Sequence, residues 1–188
     1  MPYGVDPRWL QLQTRPCRGR VFFAGTVELR KGIHYLAMSA DKLATRGHNY
    51  TFRVAGNITP SVQRQPVCRH LTFLGRLPRL QLEKEFSTAD IFVLPSLSET
   101  GPEVNYEALA CGIPVVTTPE ARAIVRNGVD GLIVPSRDPD ALADAISQII
   151  EDREKRDRMS RAARGRARDY TWERYGERLI TALRTFQS

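Results

Sequence analysis

Glu99 and Glu107 stand eight positions apart in the stretch SETGPEVNYEALACGIPVV, with a Gly-Pro pair between them. Far upstream, Lys31 precedes Gly32 just after a short apolar run. Together these residues suit an anion joined to a polyol. A carboxylate accepts two hydrogen bonds from neighbouring hydroxyls, so Glu107 is suited to a ribose diol and Glu99 to a hexose. A helix opening near Pro102 leaves first-turn N–H groups free and partly positive, which attracts phosphate. Gly101 lets backbone come close to a ligand, Pro102 is pre-set for a first-turn position, and Thr100 with Glu103 fits a capping box. The same glutamates would also suit a solvated helix face, with Glu103 and Glu107 exposed. Spacing alone leaves both readings open.

Other chemistry-bearing residues read more plainly. Asp138-x-Asp140 resembles a metal-binding pair, but Pro139 lies between the two and a clean apolar helix follows, so the pair reads as a helix cap. Cys17, Cys68 and Cys111 are three in number and scattered, which argues for reduced thiols rather than a disulfide frame or zinc site. His34, His48 and His70 have no second ligand at metal spacing.

The elements that must position the glutamates follow from periodicity. Apolar runs at 20–25, 50–56, 70–75, 90–96, 113–118 and 131–136 read as strands buried on both faces. Helical spacing recurs over 33–44, 78–89, 102–111, 119–127, from Asp138 to about 150, 153–168 and 172–186, where Thr171 is a cap and Trp172 and Tyr175 are anchors. Six strands alternating with helices predict an α/β domain: a Rossmann-like parallel sheet, helices on both faces, and extra C-terminal helices. Glu99 then falls at the carboxyl end of the fourth strand, where such sheets bind ligands.

The 188 residues suffice for one domain, and 41% hydrophobic with 26% charged residues is a globular composition. No stretch approaches the ~20 apolar residues of a membrane span, and the first residues carry no apolar leader core. The net charge is +7. Residues 151–169 hold eight Lys/Arg against five Asp/Glu, interleaved as in a solvated helix with pairs Glu151–Lys155 and Glu154–Arg158. A face for anionic membrane or another domain is the competing reading. Few aromatics accompany the basic residues, which argues against nucleic acid. After the first strand the chain reads GTVELRKG, not Gly-x-Gly-x-x-Gly. A P-loop and a Gly-x-Ser-x-Gly elbow are also absent.

Taken in order, FFAGTVELRKGI, LTFLGRLPRLQLEKEFSTADIFVLPS, SETGPEVNYEALACGIPVV and NGVDGLIVPSRDPDALADAI resemble the C-terminal, donor-binding domain of group 1 (family 4) retaining glycosyltransferases of the GT-B fold. The resemblance implies a nucleotide-diphosphate sugar donor, linked to UDP or GDP, transferred with retention and without a cofactor or bound metal. Lys31 would neutralise the diphosphate and Glu99 would hold the transferring sugar. Donor contacts would come from Gly25, Thr26, Arg30, Gly75, Arg76, Leu77, Thr100, Gly101, Glu103, Val104 and Glu107, with Glu107 on the ribose and the backbone of Gly75 to Leu77 against the base. Two positions depart from the family: Thr26 replaces an Arg, for which Arg30 is the nearby substitute, and Pro102 replaces a Gly and removes an N–H.

Gly4-Val5-Asp6 resembles the family's stretch near the crossing between its two domains. Residues 1–18 are therefore expected to be a linker remnant from a missing N-terminal acceptor domain, with 19–188 the donor-binding domain, inactive in transfer by itself. A cytoplasmic setting with peripheral contact at the inner membrane face is the corresponding expectation. A binding module that has lost catalysis, marked by Thr26, is the alternative. A non-glycosyl α/β domain is disfavoured by the missing phosphate-loop glycines.

Overall fold

The computed structural model describes residues 2–185. The last expected helical residue, 186, and the outermost ends of the two expected units, residue 1 and residues 186–188, lie outside the described residues. Six strands form one parallel sheet: β1 (Arg20–Ala24), β2 (Thr51–Ala55), β3 (Leu71–Gly75), β4 (Ile91–Leu94), β5 (Val115–Thr117) and β6 (Gly131–Ile133). Their order is β3-β2-β1-β4-β5-β6. This is the doubly wound arrangement in which the connections leave β1 and β4 in opposite directions and open a crevice between them. β1 and β4 are in register through Val21–Ile91 and Phe22–Phe92. Phe22, Phe92, Val93 and Val115 are fully buried, which explains why the strands read as continuous apolar runs.

Two helical layers cover the sheet. On one face α2 (Ile33–Thr45) packs against α6 (Pro139–Glu151). Their inward positions, Leu36, Ala40 and Leu43 on α2 and Leu142, Ile146 and Ile149 on α6, recur at helical spacing and are buried. The other face carries α1 (Pro7–Gln11), α4 (Arg79–Thr88), α5 (Glu103–Ala110) and α7 (Arg153–Arg168). Here Phe86 sits edge-on to Trp9 at 4.9 Å and to Phe22 at 5.1 Å, joining α1, α4 and the sheet. α3 (Pro60–Gln63) is a single turn, and α8 (Trp172–Thr185) ends the described chain.

The caps follow sequence signals. Asp138 accepts from the N–H groups of Asp140 and Ala141 at 3.0 and 2.9 Å, so the Asp-Pro-Asp stretch is a helix cap, and Asp140 pairs outward with Lys42 at 2.8 Å. Asp6-Pro7 repeats the device for α1, a helix absent from the sequence reading. Thr171 caps α8 through the N–H of Arg174. By contrast, the helix expected over 119–127 is only a 3₁₀ turn, Pro119–Ala121. Arg122 adopts a left-handed φ of 48°, which stops helical propagation, and Asp130 draws in the N–H and Nε of Arg126 at 2.7 and 2.6 Å.

Part of the charge on α7 is turned inward, while Arg158, Arg161 and Arg168 stay exposed. Asp90, fully buried, receives both terminal nitrogens of Arg153 at 2.7 and 2.9 Å, Nε of Arg156 at 3.0 Å and the N–H of Gly19 at 3.0 Å. Arg164 donates to the carbonyls of Leu10, Leu12 and Cys111. Of the expected surface pairs, Glu154–Arg158 forms at 3.7 Å. Glu151–Lys155 does not, because α6 ends at Glu151 and Asp152 restarts the chain as the cap of α7. Glu151 instead meets Arg18 at 2.5 Å and the hydroxyl of Tyr50. Replacing Asp90 by Ala strands Arg156 in the interior and should cost about 3–5 kcal/mol, nearer the lower figure because Arg153 reaches water. A urea unfolding midpoint within error of the wild type would contradict that role.

Candidate functional site

Loops after β1 and β4 meet above the crevice. Gly32, at φ 72°, lets them touch: a Cβ there would lie 1.9 Å from the carbonyl oxygen of Pro95. Leu97 N–H donates to the Arg30 carbonyl at 2.8 Å, and Nη1 of Arg30 donates to the Ser98 carbonyl at 3.0 Å. Held this way, Lys31 Nζ reaches Oε1 of Glu99 at 2.6 Å, and both side chains are largely buried. Arg30 Nη1 lies 3.4 Å from the same oxygen, and its other arm meets Glu28 at 2.6 Å. Ser96, fully buried, donates its hydroxyl to Glu99 at 3.2 Å. Two cations and one hydroxyl thus converge on one carboxylate oxygen at the carboxyl edge of the sheet. Gly25 is part of the group, since a Cβ on it would lie 3.9 Å from Lys31 Cε. Thr26 beside it is exposed.

The next residues lead onto α5. Gly101, at φ 122°, passes under the ring of Tyr3, whose Cε2 would be 3.1 Å from a Cβ there. Tyr3 N–H donates to the Tyr106 hydroxyl at 3.3 Å, so the N-terminal segment lies over the start of this helix. The expected capping box between Thr100 and Glu103 does not form. Pro102 occupies the cap position without a side-chain bond, and the helix starts one residue later, at Glu103. The first-turn amides of Glu103 and Val104 therefore face no capping side chain, which keeps them available to an anion.

Glu107 occupies a different environment from Glu99. Burial, and after it the negative charge of Glu103 one turn earlier, push its carboxyl up to about 7, against the opposing pull of Arg79 and a hydrogen bond from Trp9. No hydrogen bond or ion pair joins Glu107 to Lys31 or Glu99 among the described residues. Arg79 begins α4 shortly after the end of β3, and its charge acts on Glu107, but among the described residues no hydrogen bond or ion pair joins Gly75, Arg76 or Leu77 to Glu107. Gly75 has φ 71°, Arg76 is exposed and Leu77 is half-buried. Ser96, Glu28, Trp9 and Arg79 are the site residues the sequence reading lacked. Glu28 lies inside FFAGTVELRKGI, and Arg79 and Ser96 lie inside LTFLGRLPRLQLEKEFSTADIFVLPS, so of the four only Trp9 falls outside the motifs.

Among the described residues no group of three or more His, Cys, Asp or Glu converges as metal ligands do. Nor is any described helix long and apolar enough to cross a membrane.

The raised carboxyl of Glu107 carries a pH dependence. In the unfolded chain it titrates near the usual glutamate value of about 4.3. Its contribution to stability is therefore fully present below that pH and lost as pH rises through about 7. Between pH 5 and pH 8 the wild type should lose stability relative to Glu107→Gln. Parallel profiles for the two proteins in chemical unfolding would refute the assignment.

Comparison with known proteins bears on this arrangement. Residues 13–166 match the family described as glycosyl transferases group 1. The D-inositol 3-phosphate glycosyltransferase of Corynebacterium urealyticum is 32% identical over 178 residues, covering 87% of this chain but 42% of that protein. Thus the chain spans less than half the length of that relative. Among solved structures, Anabaena HepE in complex with UDP and glucose superposes with a TM-score of 0.78 at 20% identity, over 97% of this chain and 55% of that one. The C-terminal domain of a glycosyl transferase group 1 family protein from Francisella tularensis gives a TM-score of 0.74 at 18% identity, covering 87% of this chain and 96% of that one.

Proposed function

The chain belongs to the group 1 glycosyl transferases, and on that premise we propose that it is the donor-binding half of an enzyme that moves a sugar from a nucleotide diphosphate. The observation that carries the reading is the Lys31–Glu99 contact of 2.6 Å at the sheet's switch point, with Glu99 opening the Glu-x7-Glu stretch. In the free protein Glu99 balances Lys31 and part of Arg30. A diphosphate entering above Gly25 draws these cations onto its own oxygens and frees the Glu99 carboxylate for sugar hydroxyls. The unpartnered amides at the start of α5 meet the phosphate or the sugar ring. Glu107, as the anion, accepts from the ribose diol. UDP or GDP is the carrier we infer, supported by the UDP found in HepE.

Catalysis in this reading is electrostatic. Negative charge grows on the diphosphate as the sugar–phosphate bond breaks, and a prearranged cation with fixed dipoles in a dry cleft lowers that barrier. We assign that task to Lys31 and Arg30, without a bound metal, and with retention at the transferred carbon. Arg30 stands in for the cation missing at Thr26. Its place 3.4 Å from Glu99 supports the substitution, and its half-exposed side chain makes it the weaker partner. Residues 1–18 connect to an acceptor-binding domain, which completes the cleft, so the 188 residues by themselves bind donor without transferring sugar. Exposure of Thr26 where a second cation is expected favours one other reading, a module that binds nucleotide sugar without using it.

Calorimetric titration with UDP, GDP and ADP tests the proposal. One of the three should bind, and Lys31→Ala should weaken it about 10- to 100-fold, consistent with loss of a charge-assisted contact of about 1.5–3 kcal/mol. Glu107→Ala should weaken it by a similar factor, and Arg30→Ala by less. Full affinity in Arg30→Ala removes Arg30 from the site, and absence of binding by all three nucleotides ends the reading. Transfer by the protein joined to its acceptor domain separates the enzyme from the lapsed module.

A further inference from the structure

Beside Gly101 lies a recess of about 430 Å³ whose lining includes Tyr3, Thr100, Gly101, Tyr106, Arg122 and Arg166 but neither Lys31 nor Glu99. Its volume is that of a small-molecule site, and larger than a bare phosphate requires. Its charge is one-sided. Arg166 donates Nε to the Ile124 carbonyl at 3.2 Å and lies over the Tyr170 ring at 4.7 Å. Arg178, on the same ring at 5.2 Å, donates to the carbonyls of Asp169 and Pro2. Among the described residues none of these three arginines forms an ion pair with a carboxylate. Other guanidiniums of the fold are matched to carboxylates, as at Arg153–Asp90, Arg53–Glu85 and Arg126–Asp130, or to neutral oxygens, as Arg20 is to the Thr88 hydroxyl.

Arg122 enters the recess from a left-handed backbone position (φ 48°), a conformation that costs a non-glycine residue energy and that here ends the 3₁₀ turn after β5. Tyr106 adds a hydroxyl whose titration burial pushes upward, so it stays protonated and able to donate. Planar guanidinium forks with a phenol donor suit an oxyanion of two or three oxygens.

We propose that this recess is a second binding site, for the oxyanion of a sugar-sized substrate, carried by Arg122 and Arg166 beside the Thr100–Gly101 turn. The role in transfer rests on the donor reading above, because Glu99 immediately precedes Thr100. The anion-binding itself does not. Two sources share this chemistry: a phosphorylated sugar as acceptor, or a carboxylate on the transferred sugar.

The 188-residue chain is titrated with glucose 6-phosphate, with glucose as the neutral control. Wild type and Lys31→Ala should both bind the phosphate, and Arg122→Ala should bind it at least tenfold more weakly. Arg122 is exposed, so its replacement should leave the thermal midpoint unchanged. Arg122→Lys, which keeps the charge but loses the fork, should fall between.

Binding that coexists with saturating UDP assigns the acceptor. UDP-glucuronate binding more tightly than UDP-glucose, with the difference lost in Arg122→Ala, assigns the donor sugar. The proposal is overturned if phosphate binding survives Arg122→Ala and vanishes in Lys31→Ala, since the phosphate would then occupy the diphosphate position. It is also overturned if neither anionic ligand binds better than its neutral counterpart. Failure of UDP to bind, with Arg122-dependent phosphate binding intact, would remove the donor reading and leave this site standing.

Discussion

Everything at the site depends on two loops touching at Gly32 and Pro95. The reversal of strand order between β1 and β4 sends their connections apart, and ordinarily such loops would diverge into solvent. Here a missing side chain lets backbone meet backbone, with 1.9 Å left where a Cβ would stand. Three links then join the segments: Leu97 to Arg30, Arg30 to Ser98, and Lys31 to Glu99. Because both charges of the last pair lie mostly out of water, neither is content alone. An isolated buried ammonium or carboxylate carries a large desolvation cost, so removing one partner creates demand for another charge of the same sign. On the proposed reading a diphosphate would satisfy Lys31 as Glu99 does, and the free protein would hold its ligand's place with its own carboxylate.

The two ends of the Glu-x7-Glu stretch lie in contrasting surroundings. Glu99 is ringed by donors: Lys31, Arg30 and Ser96. Glu107 is buried, with Glu103 and Asp6 raising and Arg79 and Trp9 lowering its titration, and its carboxyl is held up at about 7. Neutral carboxyl and carboxylate are thus close in free energy at Glu107 under physiological conditions. On the proposed reading that suits an uncharged ribose diol as partner, which both forms can engage but which the anion grips at two hydroxyls. A charge-neutralising role would need the opposite environment. The difference arises from what packs over each end: polar loops over Glu99, and Trp9 with the α1–α4 cluster beside Glu107.

How much of this was legible in the sequence depended on the range of the interaction. Apolar runs such as RVFFA and IFVL announce strands because both faces of a parallel sheet are covered, and all six strands appear where those runs lie. Local chemistry was equally readable: Asp138-Pro139-Asp140 caps its helix as the spacing required. Long-range pairing was not. Lys31 and Glu99 are 68 residues apart, and their contact follows only from the 3-2-1-4-5-6 order of strands. Trp9 came near Glu107 through the docking of α1, itself unread because it has a single turn, and Arg79 through that of α4. The 119–127 segment misled for a different reason. Its residues tolerate a helix, but Asp130 offers Arg126 two bonds that a helix could not, and Arg122 turns left-handed.

The arginines show where charge matters to this fold. A run of eight Lys/Arg against five Asp/Glu suggested a solvated surface helix, and α7 keeps Arg158, Arg161 and Arg168 exposed while turning a few of its arginines inward. Arg153 and Arg156 fasten the start of β4 through Asp90, Arg164 closes three carbonyls left open near α1 and the end of α5, and Arg166 braces the loop at Ile124. The carbonyl contacts of Arg164 and Arg166 satisfy backbone acceptors that regular structure leaves over. That accounting separates structural arginines from the others. Contacts of this kind account for Arg153, Arg156 and Arg164 in the fold, whereas Arg166 bonds its carbonyl through Nε alone. Arg122, exposed at the end of the turn after β5, makes no side-chain hydrogen bond or ion pair among the described residues, so its charge answers to nothing in the fold. Arg30 is intermediate: it links the loops through the Ser98 carbonyl and pairs with Glu28, yet stays half-exposed beside Glu99.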